Sequence, residues 1–182
     1  MNPYLFDAIA AICERVSDDI EFVNSGGCAV FASELGKRLQ AIGVKDVNCR
    51  VYNYPEEMEG LVYHDLNTLE AKIREHNGTC KDKEAWNDSG IHFVHVKLYV
   101  DGVFWDSDGA VLACEPESKV WEGAFGGYEL VEGFISVEAM SELASVPQNW
   151  NPTFQRDCIP DMTKIMDDCI NEYLNSTVKM AA

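Results

Sequence analysis

The sequence predicts an α+β protein, because helical patterns dominate both ends of the chain and a β hairpin lies between them. Apolar residues recur at helical spacing close to the N-terminus and again in the last part of the chain. Between them, residues 91–109 read IHFVHVKLYVDGVFWDSDG, with a β-rich run on each side of Asp101-Gly102. An Asp-Gly pair between two such runs is typical of a two-residue hairpin turn.

The N-terminal half is predicted to contain two helices, a strand and a third helix. Helical spacing extends to about Arg15, a glycine-rich loop covers 24–27, and a second helix runs over 28–41 before a stop at Gly43. The alternating run VNCRVYNY over 47–54 predicts a strand, and the helical pattern of 66–78 ends at a glycine.

After the hairpin, the chain is predicted to return from strand to helix. The run over 128–137 favours a strand, and VEAMSELAS favours a short helix. A turn-rich connection follows, and Asp161 is expected to cap the closing helix.

Length and composition indicate one domain that covers residues 1–182. Its 31 acidic and 14 basic residues give a net charge of -17, spread along the whole chain. Such a field repels nucleic acid and anionic lipid, so neither nucleic acid nor a membrane is expected as a partner. It favours a basic partner instead, and the oligomeric state stays open.

The seven cysteines do not form a recognisable disulfide or zinc pattern, because their number is odd and no CxxC occurs. The acidic N-terminus lacks the features of a signal peptide, and no apolar run reaches membrane-spanning length. We therefore expect a reducing, cytoplasmic setting, which would be the host cytoplasm for a viral protein. No cofactor is expected. A metal site at His92 and His95 is disfavoured because strand alternation points them to opposite faces.

The hairpin turn determines which chemical groups meet. With Asp101-Gly102 as the turn, His95 shares a face with Asp106 and Asp108. Asp108 is then expected directly opposite His95, with Asp106 as the diagonal neighbour. Either carboxylate could fix the tautomer of the imidazole and make it a general base.

A general base needs a nucleophile to act on, and the stretch NSGGCAVFASELGKRL supplies one in Cys28. A thiol at a helix N-terminus lies where the helix dipole favours the thiolate. The free N–H groups there, with the side-chain amide of Asn24, could hold an oxyanion. Gly26 and Gly27 are expected to leave open space over the sulfur.

These residues resemble the papain-like and transglutaminase-like cysteine enzymes. In both, a cysteine at the start of a helix is followed along the chain by a strand that begins with histidine and a strand that carries aspartate. GGCAVFASELGKRL is similar to their nucleophile helix, and HVKLYVDGVFWDSDG to the hairpin of the transglutaminase-like branch. The resemblance implies Cys28 as nucleophile, His95 as general base and Asp106 as orienting acid. It also implies a papain-like fold in which N-terminal helices carry the cysteine and pack on an antiparallel sheet.

On this basis we expect a thiol hydrolase or acyl-transferase that cleaves an amide bond in a peptide or amine-bearing substrate, with basic substrates favoured by the acidic charge. Two other classes remain open. A catalytically inactive papain-like binding domain is favoured if Cys28 is buried or far from His95. An acidic interaction or inhibitor protein of phage type is favoured if the acidic residues line one face.

Overall fold

The computed structural model describes residues 2–53, 95–112, 131–145 and 154–181. These ranges contain four α-helices and one antiparallel sheet of five strands, which confirms the α+β class. The helices are α1 (Pro3–Asp19), α2 (Cys28–Ala41), α3 (Val137–Ser145) and α4 (Ile159–Ala181). The strands are β1 (Val47–Asn53), β2 (His95–Val100), β3 (Val103–Asp106), β4 (Gly109–Leu112) and β5 (Val131–Ile135). A π-helical turn covers Val23–Gly27 and a 3₁₀ turn covers Arg156–Cys158.

The hairpin predicted around Asp101-Gly102 is confirmed. Both turn residues have positive φ angles, 48° and 86°, as the tight turn between two twisted strands requires. Leu98 pairs with Trp105 across β2 and β3, which is the register that a two-residue turn gives. The full strand order is β4-β3-β2-β1-β5, so β2 lies at the centre of the sheet.

The strand β4 was not expected from the sequence. Asp106, the last residue of β3, pairs with Gly109, the first residue of β4. The chain therefore reverses over Ser107 and Asp108 instead of continuing alongside β2. Gly109 has a φ of 122°, a conformation that side-chain-bearing residues rarely adopt.

The core lies between the helices and one face of the sheet. The inward residues of β2 and β3 on this face are all buried in the apolar core with side chains of the helices: Val96, Leu98, Val100, Val103 and Trp105. The helix α2 packs tightly at Gly36, where an added Cβ would lie 2.8 Å from Cγ2 of Val137 and 3.1 Å from Cδ1 of Leu98.

The helix ends differ in detail from the predicted ones. The helix α1 continues past Arg15 to Asp19, because Val16 is fully buried and extends the apolar face by another turn. The helix α4 begins at Ile159, so Asp161 lies in its first turn and is not its cap. The 3₁₀ turn before α4 is right-handed like the α-helix, so the chain continues from it directly into α4.

Some predicted elements lie outside the described residues, namely the helix over 66–78 and the part of the hairpin that contains His92. The strand predicted over 128–137 is present as β5, although Val137 already belongs to α3. None of the helices in the described ranges has both the length and the apolar character needed to cross a membrane.

Candidate active site

Cys28 is the first residue of α2 and is only 4% exposed. The loop predicted before it is wrong, because Val23–Gly27 forms a π-helical turn that continues directly into α2. Such turns hold more residues than an α-helical turn and are frequent at functional sites. Gly26 has a φ of 125° within this turn, which explains a glycine at that position. The N-cap residue of α2 is Gly27, which has no side chain to cap the helix, so the positive end of the helix dipole lies at the thiol.

The space beside Gly27 is occupied, contrary to the expectation that both glycines leave room over the sulfur. A Cβ added at Gly27 would lie 2.6 Å from two ring carbons of Phe154. Phe154 is itself buried, so its ring packs directly against the backbone that precedes Cys28. The glycine is therefore needed for this close approach of an aromatic ring.

His95 is the first residue of β2 and is 3% exposed. Its Nε2 atom lies 3.3 Å from Oδ2 of Asp106. On the neighbouring strand β1, Tyr52 pairs with His95, and the two rings are stacked with centroids 6.4 Å apart. The imidazole is thus held by a carboxylate on one side and an aromatic ring on the other.

The second interaction of the imidazole is with Cys28. Burial alone would lower the pKa of His95, but hydrogen bonds to Asp106 and to Cys28, with the charges of both, raise it to about 9. The described structure therefore brings together Cys28, His95 and Asp106, the three residues selected from the sequence.

Asp106 has hydrogen-bond partners at both carboxylate oxygens. Its Oδ1 atom accepts the backbone N–H of Asp108 at 2.9 Å, and Oδ2 lies 3.2 Å from Nζ of Lys97 as well as near His95. Burial would raise the pKa of Asp106, but the hydrogen bond from His95 and the charge of Lys97 lower it below its usual value. The carboxylate is therefore ionised at neutral pH.

Asp108 does not lie directly opposite His95, so that expectation is wrong. Its side chain is exposed, and its contact with the site is the backbone N–H that binds Asp106. The physical reason is the reversal of the chain over Ser107 and Asp108, which removes Asp108 from the line of β3. Of the two acids left open by the sequence, the geometry favours Asp106.

Two residues of the site were missed in the sequence. Lys97 is 3% exposed, although lysine is rarely buried without a partner. The alternation of side chains along β2 already placed Lys97 on the same face as His95 and Asp106. A lysine on a face shared with a histidine and an aspartate was therefore the signal that could have revealed its role. Tyr52 had no such signal, because the register between β1 and β2 depends on the fold.

Asn24 lies in the π-helical turn, and its Oδ1 atom is buried with no hydrogen-bond partner among the described residues. An oxyanion needs a donor, which in this amide is Nδ2. The role of Asn24 in an oxyanion hole stays a prediction.

Comparison of the chain with protein-family models, with curated proteins and with solved structures finds no match. The resemblance to papain-like enzymes therefore depends on the residues and their geometry. Within the described ranges, no three His, Cys, Asp or Glu side chains are grouped so that they could hold a metal ion.

Proposed function

We propose that the chain is a papain-like, transglutaminase-like thiol hydrolase or acyl-transferase that acts on an amide bond. The observation that carries the proposal is the double contact of His95. Its ring is hydrogen-bonded to the buried carboxylate of Asp106 and interacts with Cys28 at the start of α2. A nucleophile, a base that reaches it and a group that orients the base form the minimal set for covalent acyl chemistry.

In the proposed reaction, the thiol of Cys28 gives its proton to His95 and the sulfur attacks the carbonyl carbon of the substrate. The resulting tetrahedral oxyanion is held by the dipole of α2 and by Asn24. The C–N bond then breaks, the imidazolium gives its proton to the leaving amine, and a thioester remains on Cys28. Water or a second amine attacks the thioester with His95 as the base, which restores the thiol.

The substrate is proposed to be a basic peptide or an amine. The net charge of -17 attracts cations over long distances and repels anions. This field favours the encounter of a cationic substrate, and salt should weaken the effect. Attack by water would make the protein a peptidase or amidase, and attack by an amine would make it an acyl-transferase.

A second candidate function is a papain-like domain that binds ligands without catalysis. The observation in its favour is that Cys28 is only 4% exposed. A buried sulfur can act on a substrate only if the surrounding residues admit the carbonyl carbon. The two functions predict different reactivity of the same thiol, so one experiment separates them.

The test is the pH dependence of Cys28 alkylation by iodoacetamide, read by peptide mass spectrometry in the wild type and in His95→Ala. For an activated thiolate we expect rapid modification well below the ordinary thiol pKa of about 8.5, and loss of that reactivity in the variant. Slow modification that is indifferent to His95 would contradict the catalytic proposal and favour the binding domain.

The chain offers matched controls for this experiment. Cys158 is more exposed than Cys28, but burial and the neighbouring Asp157 raise the pKa of its thiol. It should therefore react more slowly than Cys28 in acid in spite of its better access.

The two candidate orienting acids offer a second control. Asp106→Asn should slow the modification of Cys28, whereas Asp108→Asn should leave it close to the wild-type rate. Equal effects of the two Asp variants would argue against Asp106 as the orienting residue.

A further inference from the structure

Lys97 is a charged group that the triad does not need in order to react, yet it is buried beside it. A buried ammonium is costly unless it is paired and hydrogen-bonded. Its Nζ atom lies 3.2 Å from Oδ2 of Asp106. Arg50 is its direct neighbour on β1, so another cation faces it across the strand pair. Lys97 therefore pairs with Asp106 at a position where a second cation, Arg50, faces it.

One oxygen of Asp106 faces two nitrogen atoms. Oδ2 lies 3.3 Å from Nε2 of His95 and 3.2 Å from Nζ of Lys97. If His95 were the sole counter-ion, each loss of its proton would leave a buried, uncompensated carboxylate. With Lys97 present, the charge of Asp106 is balanced in both protonation states of the ring.

We propose that Lys97 is a positioning residue of this site: it is a second counter-ion of Asp106, and it allows His95 to gain and release a proton while the carboxylate stays ionised and hydrogen-bonded. The catalytic consequence rests on the proposed function. The electrostatic part, which concerns Lys97, Asp106 and the imidazole, can be tested without any thiol reactivity.

The other charged and titratable groups around the site set the direction of the expected effect. Among the described residues, α2 contributes Cys28 and α1 contributes Cys13. Strand β1 contributes Arg50 and Tyr52, and the turn after β3 contributes Asp108. The pKa of Cys13 is raised by burial and by the charge of Asp106, so this thiol stays neutral. The charge of Lys97 opposes protonation of the imidazole, and the charge of Asp106 favours it. Loss of the Lys97 charge would leave the effect of Asp106 unopposed by this lysine, which favours the imidazolium.

The experiment is an NMR titration of histidine-labelled protein, wild type against Lys97→Met, with the His95 signals assigned by their absence in His95→Ala. In Lys97→Met the pKa of His95 should rise by about one unit or more, because a nearby cation has been removed. Lys97→Arg keeps the charge and should titrate close to the wild type. An unchanged His95 pKa in folded Lys97→Met would overturn the proposal.

A second measurement on the wild type keeps the proposal testable if Lys97→Met does not fold. The carboxyl carbon of Asp106 should show an ionised group throughout the titration of His95. Protonation of Asp106 in the same pH range as His95 would overturn the proposal.

The alkylation assay separates this proposal from the proposed function. If Cys28 is reactive, its alkylation profile should move with the pKa of His95 in Lys97→Met. A reactive Cys28 whose profile is the same in the folded variant would contradict the role of Lys97 and leave the thiol-enzyme proposal standing. An inert Cys28 with a shifted His95 titration would contradict the enzyme proposal and leave the counter-ion role of Lys97 standing.

Discussion

The two faces of strand β2 are both buried, but their side chains have opposite chemistry. On the face that meets the helices, Val96 and Leu98 are apolar and pack in the core. On the other face, His95 and Lys97 are polar, almost equally buried, and arranged around Asp106 of β3. Because successive side chains of a strand alternate in direction, one short strand serves both faces.

The difference gives the two faces different energetic roles. Burial of apolar area on the helix face stabilises the fold directly, by about 25 cal/mol for each Å² removed from water. Burial of charges on the other face carries a desolvation cost, which is offset by their mutual attraction and by hydrogen bonds such as the one from the backbone N–H of Asp108 to Asp106. We therefore expect substitutions on the helix face to change stability alone, and substitutions on the polar face to change the reactivity of Cys28 and the pH dependence of stability.

Leu98→Ala should have the largest effect on stability. The side chain is fully buried against α2, so its truncation should lower the free energy of unfolding by about 2–5 kcal/mol. Urea unfolding monitored by circular dichroism measures this change. The pH profile of Cys28 alkylation should stay the same under conditions in which the variant is folded.

Leu174→Ala is the matched control, because Leu174 is an exposed leucine on α4. Its effect should be within about 0.5 kcal/mol, as is usual for surface positions. A shift of the alkylation profile in folded Leu98→Ala would show that the two faces are not independent.

The register of the hairpin is the part of the site that the sequence could predict. Asp101-Gly102 specifies a tight turn by backbone conformation alone, and the turn then fixes which face each side chain occupies. This local rule was sufficient to place His95 and Asp106 on one face. The beginning of α2 at Cys28 was also predictable, because glycines before an apolar helical pattern mark a boundary.

Other parts of the site depend on contacts between distant segments, and no local rule specifies them. One exception is the second reversal, over Ser107 and Asp108, which selects Asp106 over Asp108. Ser, Asp and the following Gly109 are typical turn residues, so this reversal was predictable from the sequence. The stacking of Tyr52 on His95 depends on the register of β1 against β2. The packing of Phe154 against Gly27 joins residues far apart in the chain.

The pH dependence of stability should distinguish the polar face from the apolar one. The folded pKa of His95 is about 9, above its ordinary value of 6.5, so its contribution is fully present below pH 6.5 and is lost as the pH rises towards 9. The pKa of Asp106 is lowered below 3.8, so its contribution is present above that pH and is lost in stronger acid. The polar face should therefore stabilise the fold most between about pH 4 and pH 6.5.

Urea unfolding at a series of pH values measures this effect. Between pH 6.5 and pH 9 the free energy of unfolding should decline by up to about 3 kcal/mol, and His95→Gln should remove most of the decline. Leu98→Ala is the control here, since it should lower the whole curve without changing its shape. If the decline persists in His95→Gln, a group other than His95 causes it.

Gly36→Ala should have a smaller effect, and its sign depends on which of two opposing terms is larger. Alanine in place of glycine favours a helix by about 1 kcal/mol. The new Cβ, however, would lie 2.8 Å from Cγ2 of Val137, and overpacking of a core typically costs about 1–3 kcal/mol. Cδ1 of Leu98 would lie 3.1 Å from the same Cβ, so two neighbouring side chains would have to move to make room. We therefore expect a net loss of about 1 kcal/mol in the free energy of unfolding, measured with urea, with the alkylation of Cys28 unchanged.

Lys37→Ala, at an exposed position of the same helix, is the control. A more stable Gly36→Ala protein would show that the contact between α2 and the apolar face of the sheet is looser than these distances indicate.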